Sequence, residues 1–173
     1  MVRPGDMVVS FRDISIDDLH HVGVKPEDIN DGFAVTARAY FKFLRDNNLE
    51  TKIRHLIGSI NFDHESSLAQ VSYHIKNLIS KSRIPESIVY KIIGHYVDLG
   101  ASRVWVRTSL ISGDPNHKKV LIEKMTSVDG DAVLLDTVRS FWSHVFEPAY
   151  IIHRYKNGMD QLKTGVAVIV HKA

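Results

Sequence analysis

Apolar residues recur every three or four positions through residues 37–100, then every second position around residue 105. That change of period predicts a block of amphipathic helices followed by strand-bearing sequence. Ala39, Tyr40, Phe43 and Leu44 share one face of a helix over 37–47, with Thr36 placed to cap it. Ile53, Leu56, Ile57 and Ile60 make the stripe of a second helix over 49–60. Leu68, Val71, Ile75, Leu78 and Ile79 make that of a third over 64–82, with Asp63 as its cap. Pro85 fits the first turn of a fourth helix, which carries Ile88, Val89, Ile92, Ile93, Tyr96 and Val97 and stops at Gly100. Packing alone explains these four helices.

Strands are expected around them. Met7-Val-Val-Ser-Phe11 reads as a first short strand, residues 20–32 as loop, and Phe33-Ala-Val-Thr36 as a short apolar entry to the first helix. Arg103-Val-Trp-Val-Arg-Thr-Ser109 alternates, with Val104 and Val106 on one side and Trp105 and Arg107 on the other. A polar loop over 112–117 leads to a partner strand at 119–123, and Asp129-Gly-Asp131 turns into a helix over 131–146. A short helix over 148–157 and a strand over 165–171 close the chain, which has no internal repeat. The class is α+β or α/β, richer in helix than in strand.

Composition removes several chemistries. The 173 residues include no cysteine, which excludes disulfides, a thiol nucleophile and thiolate metal ligation. The length suits one domain, and 44% hydrophobic with 24% charged residues is ordinary for a globular chain. A net charge of +2 gives little reason to expect nucleic acid or an anionic membrane as partner. No apolar run reaches signal-peptide or membrane-spanning length, so a cytoplasmic protein is the expectation. The ten histidines contain no His-Glu-x-x-His pattern, and His20-His21 would point opposite ways on a strand, so no metal site is assigned. Ser109 and Ser112 lack a Gly-x-Ser-x-Gly context, no Walker-type loop is present, and no catalytic residue is assigned.

Arg107 stands out. It sits near the end of an alternating strand and is followed by Thr108 and Ser109. A strand-held guanidinium with two hydroxyls beside it can take phosphate oxygens in a fork. The same spacing also fits a surface arginine with ordinary strand-exit hydroxyls. Lys25, after Val22-Gly-Val24, has the same two readings: a point charge on a phosphate or a solvated loop lysine.

The order of these segments resembles the N-terminal part of the nucleotide-binding domain of the phosphoenolpyruvate synthase and pyruvate phosphate dikinase family, an ATP-grasp-related fold. Val22-Gly-Val-Lys25 stands where the family has Val-Gly-Gly-Lys, and Asn30-Asp-Gly-Phe-Ala-Val-Thr36 where it has Pro-Pro-Gly-Phe-Val-Val-Thr. Val104-Trp-Val-Arg-Thr-Ser109 is similar to the family strand Val-Ala-Val-Arg-Ser-Ser. Phe141-Trp-Ser-His-Val-Phe146, the stretch Ala149 to Tyr155, and Val168-Ile-Val-His-Lys172 follow in the family's order. The resemblance implies one nucleotide-binding domain over 1–173, helix-rich with a small mixed sheet and a helical insertion over about 37–100. It implies ATP with Mg²⁺ as ligand, with Lys25 and Arg107 on the phosphates and Thr108 and Ser109 beside them.

The departures shape the functional expectation. The loop's second glycine is Val24, and only Pro26 to Asp31 separate Lys25 from Gly32, where the family has a helix. After Arg107 the family's Ala-Thr-Ala-Glu-Asp and Phe-Ala-Gly-Gln segments are replaced by Leu110 to Lys119. The family's metal-binding carboxylates and much of its adenine pocket come from sequence that would follow residue 173. The expectation is an ATP-binding subdomain or subunit of a phosphoenolpyruvate-synthase-like phosphotransferase, inactive as this chain alone. A partner subunit or a second copy would complete it, with the edge of the strand over 165–171 exposed for pairing. Two alternatives stand beside it: a non-catalytic relative serving protein contacts or regulation, and a free-standing small enzyme with another constellation.

Overall fold

Val166 to Val170 is an apolar run without alternation, and it forms the centre of a five-stranded sheet. A strand buried on both faces has no polar side to present. The computed structural model describes residues 3, 5–15, 31–111 and 124–173. The Val22-Gly-Val-Lys25 loop, the loop at 112–117 and the strand expected at 119–123 lie outside the described residues.

Among the described residues the strands are β1 (Val8–Ser10), β2 (Gly32–Val35), β3 (Arg103–Ile111), β4 (Met125–Asp129) and β5 (Gly165–Lys172). Four helices separate β2 from β3: α1 (Ala37–Asp46), α2 (Leu49–Gly58), α3 (Glu65–Lys81) and α4 (Glu86–Leu99). Between β4 and β5 come α5 (Asp131–Ser143), a 3-10 turn (His144–Phe146) and α6 (Pro148–Lys156). The helix-rich α+β class is therefore as expected.

The strand order is β1-β2-β5-β3-β4, and every pairing is antiparallel. Two expectations are corrected here. The sheet is antiparallel rather than mixed, because β5 runs against both of its neighbours. The strand expected at 165–171 is not an exposed edge: β2 and β3 pair with it on either side, and among the described strands β1 and β4 are outermost.

The two faces of the sheet are covered differently. Phe33, Val35, Val104, Val106, Val166, Val168 and Val170 face the helices and join their buried stripes in one core. Phe43 of α1 and Trp142 of α5 meet there with ring centroids 4.7 Å apart. The opposite face carries a smaller cluster in which Phe11 covers Ala34, Ala167 and Ile169. The buried Arg154 of α6 secures the 3-10 turn: its guanidinium donates to the Val145 carbonyl and the Gln161 side chain and lies over the Phe146 ring. Burial lowers its pKa to about 10, so it stays charged at neutral pH.

Local chemistry departs from the sequence expectation at two helix starts. Thr36 occupies the cap position of α1, but its hydroxyl donates to the carbonyls of Asp6 and Met7, tying β2 to the start of β1. His64, not Asp63, precedes α3; the Asp63 N–H is taken up by Asn61 Oδ1 at 3.1 Å. Gly100 ends α4 with φ at 63°, the left-handed geometry that suits glycine.

Candidate functional site

β3 is nine residues long and paired on both sides, so its side chains are held on a rigid frame. Successive residues of a strand point to opposite faces. Val104, Val106 and Thr108 therefore face the helices, while Trp105, Arg107 and Ser109 face away from them. Arg107 lies between Ile169 of β5 and Met125 of β4 and is only 5% exposed. Ser109 is opposite Ala167 on the same face.

Thr108 is therefore on the other side of the sheet from Arg107. It is 1% exposed, and its hydroxyl accepts the Lys124 N–H at 2.9 Å. Its own N–H donates to the Lys124 carbonyl at 2.9 Å. Of the two hydroxyls that the sequence sets beside the guanidinium, only Ser109 shares its face. Lys25 lies outside the described residues.

Lys124 leads to a group that the sequence does not reveal. Its ammonium and that of Lys76 on α3 both donate to Glu147 Oε1 at 3.2 Å, and His144 Nδ1 is 3.5 Å from the same oxygen. Glu147 opens α6, and next to it Ser72 of α3 donates to the Phe146 carbonyl at 2.6 Å. Partial burial pushes the Glu147 carboxyl up, but the hydrogen bonds and charges of Lys76 and Lys124 outweigh this and hold it below its ordinary value. Glu147 is separated in sequence from Lys76 by 71 positions and from Lys124 by 23, and no local spacing signals such a contact.

A second polar cleft opens at one end of β1, β2 and β5, lined by Ser10, Arg12, Asp31, His95 and Lys172 among others. Asp31 takes Arg12 at 2.9 Å and Lys172 at 3.0 Å, and these cations hold its carboxyl below the usual range. Both cations are thereby engaged with a carboxylate. Around Arg107 the same face of β3 and β4 carries Trp105, Ser109, Met125 and Ser127. Among the described residues no group of three or more His, Cys, Asp or Glu side chains gathers to hold a metal ion. None of their helices is long and apolar enough to cross a membrane.

Residues 15–173 match the family described as pyruvate phosphate dikinase, AMP/ATP-binding domain. A probable phosphoenolpyruvate synthase of Methanothermobacter thermautotrophicus is 29% identical over 98% of this chain and 28% of its own length. The phosphoenolpyruvate synthase of Aquifex aeolicus is 30% identical over 91% of this chain and 19% of its own. A rifampicin phosphotransferase of Bacillus cereus is 21% identical over 95% of this chain and 21% of its own. The chain thus spans less than a third of the length of each of these relatives.

Proposed function

Since the chain belongs to the pyruvate phosphate dikinase AMP/ATP-binding domain family, we propose that Arg107 and Lys25 contact the phosphates of a bound nucleotide, ATP being the first choice. The observation that carries this reading is the position of Arg107 on a doubly paired strand, on the sheet face away from the helices. A guanidinium fixed in this way offers a planar fork of donors with little reorganisation, and Ser109 adds a hydroxyl two residues on. Together they suit phosphate oxygens.

In phosphoryl transfer such a fixed cation neutralises charge on the transferred group. Mg²⁺ supplies further shielding when it accompanies the nucleotide; no described residue is assigned to hold it. Thr108 acts on the other face, through Lys124, and leaves the phosphate set.

The similarity to phosphoenolpyruvate synthases supports a nucleotide-binding module of a phosphotransferase whose acceptor site lies outside these 173 residues. A partner polypeptide or a second copy of this chain would supply it. Val24, which stands where the resembled loop has its second glycine, favours a second reading, a non-catalytic relative that keeps the fold for protein contacts or regulation.

Calorimetric titration with Mg·ATP separates the two. Binding at millimolar affinity or tighter, weakened about tenfold or more in Arg107→Ala and less in Arg107→Lys, is the outcome expected of a forked phosphate contact. No heat at saturating nucleotide, from protein with an intact unfolding transition, would overturn the nucleotide reading for this chain.

A further inference from the structure

Two residues before Arg107, on the same face of β3, is an indole that the core does not use. Trp105 is 37% exposed, whereas its neighbours Val104 and Val106 are wholly buried under the helices. It is flanked across the sheet by Ser127 of β4 and His171 of β5. Ser127 is small and is itself exposed. Met125, diagonal to Trp105 and directly opposite Arg107, is 53% exposed and adds a soft, polarizable edge.

Along this face the strand reads Arg103, Trp105, Arg107, so an aromatic surface lies between two cations. Positions two apart on a strand are separated by about 6.6–6.8 Å. In a nucleotide the ribose separates base from phosphates, so a ligand holding its phosphates at Arg107 can reach the neighbouring position with its base.

We infer that Trp105 is the stacking platform for the base of the nucleotide whose phosphates Arg107 holds. Base stacking on an aromatic side chain is sequence-tolerant, so the ring selects for a base without selecting which one. Binding then favours nucleotides over bare polyphosphate. This rests on the phosphate-binding reading above.

The test compares Mg·ATP with Mg·tripolyphosphate, which has the phosphates and no base, on the 173-residue chain. Wild type is expected to bind ATP about tenfold or more tightly than tripolyphosphate. Trp105→Ala should bring ATP to the tripolyphosphate level while leaving tripolyphosphate affinity unchanged, and Trp105→Phe should keep most of the ATP affinity. The only other tryptophan, Trp142, is wholly buried against Phe43, so ATP should alter indole emission in wild type and not in Trp105→Phe. Unchanged ATP affinity in Trp105→Ala overturns the inference, since the ring then faces protein or solvent only. Loss of both ligands in that variant also overturns it, in favour of a structural role. Failure of wild type to bind either ligand is a different result: it removes the phosphate-binding reading itself, and this inference with it.

Discussion

Arg107 and Thr108 are adjacent in the chain and lie on opposite faces of the sheet, the first facing away from the helices and the second facing them and holding the Lys124 backbone. Replacing Thr108 by valine keeps the branched shape and removes the acceptor of the Lys124 N–H. A loss of about 1–2 kcal/mol in urea unfolding is expected, with nucleotide affinity maintained. Ser109→Ala should behave in the opposite way, with stability kept and affinity for Mg·ATP reduced. A Thr108→Val protein of full stability and weakened ATP binding would put Thr108 back among the phosphate ligands.

Glu147 joins three parts of the fold through Lys76, Lys124 and the His144 turn. Its carboxyl is held below its ordinary value of 4.5 in the folded state. A group depressed in this way contributes stability that is complete above the unfolded-state pKa and is lost as pH falls through the lower folded value. Glu147→Gln should lower stability by about 1 kcal/mol at neutral pH. The gap in melting temperature between wild type and this variant should hold from pH 7 to about 5 and close as pH falls below the ordinary glutamate range. A gap that widens on acidification would show that the two lysines do not hold the carboxylate.

The helices were legible because their signal is local: Leu68, Val71, Ile75 and Ile79 recur at helical spacing and are all buried on α3. The centrality of β5 was not, since strand order is decided by pairings between residues far apart in the chain. β2 reads as an entry to a helix because all four of its residues are buried, leaving no alternation to notice. β4 is hidden for the opposite reason, with Val128 its only buried residue. At the site, the alternation that placed Arg107 on a strand also separates it from Thr108, so that division was readable from the period alone. The Glu147 group was not, because its partners come together only after α3, β4 and the His144 turn have packed.

Gly32 combines a family-like sequence position with a steric demand that the structure makes explicit. A methyl group built there would lie 2.4 Å from the Val170 carbonyl oxygen and 2.4 Å from the Phe11 ring. Phe11 could rotate away only by uncovering Ala34 and Ile169, and the Val170 carbonyl is fixed in the pairing of β2 with β5. Neither neighbour can yield cheaply, so Gly32→Ala should cost about 3 kcal/mol or more, at or beyond the upper end of ordinary overpacking. Gly94 is the control: it is exposed in the middle of α4, with nothing within 4 Å of an added methyl. Gly94→Ala should raise stability by up to about 1 kcal/mol through helix propensity. Thermal unfolding of the two variants beside wild type should move the midpoint in opposite directions. A Gly32→Ala protein as stable as wild type would mean that Phe11 does not pack over β2 in solution, and that the face bearing Arg107 is more open than its burial here indicates.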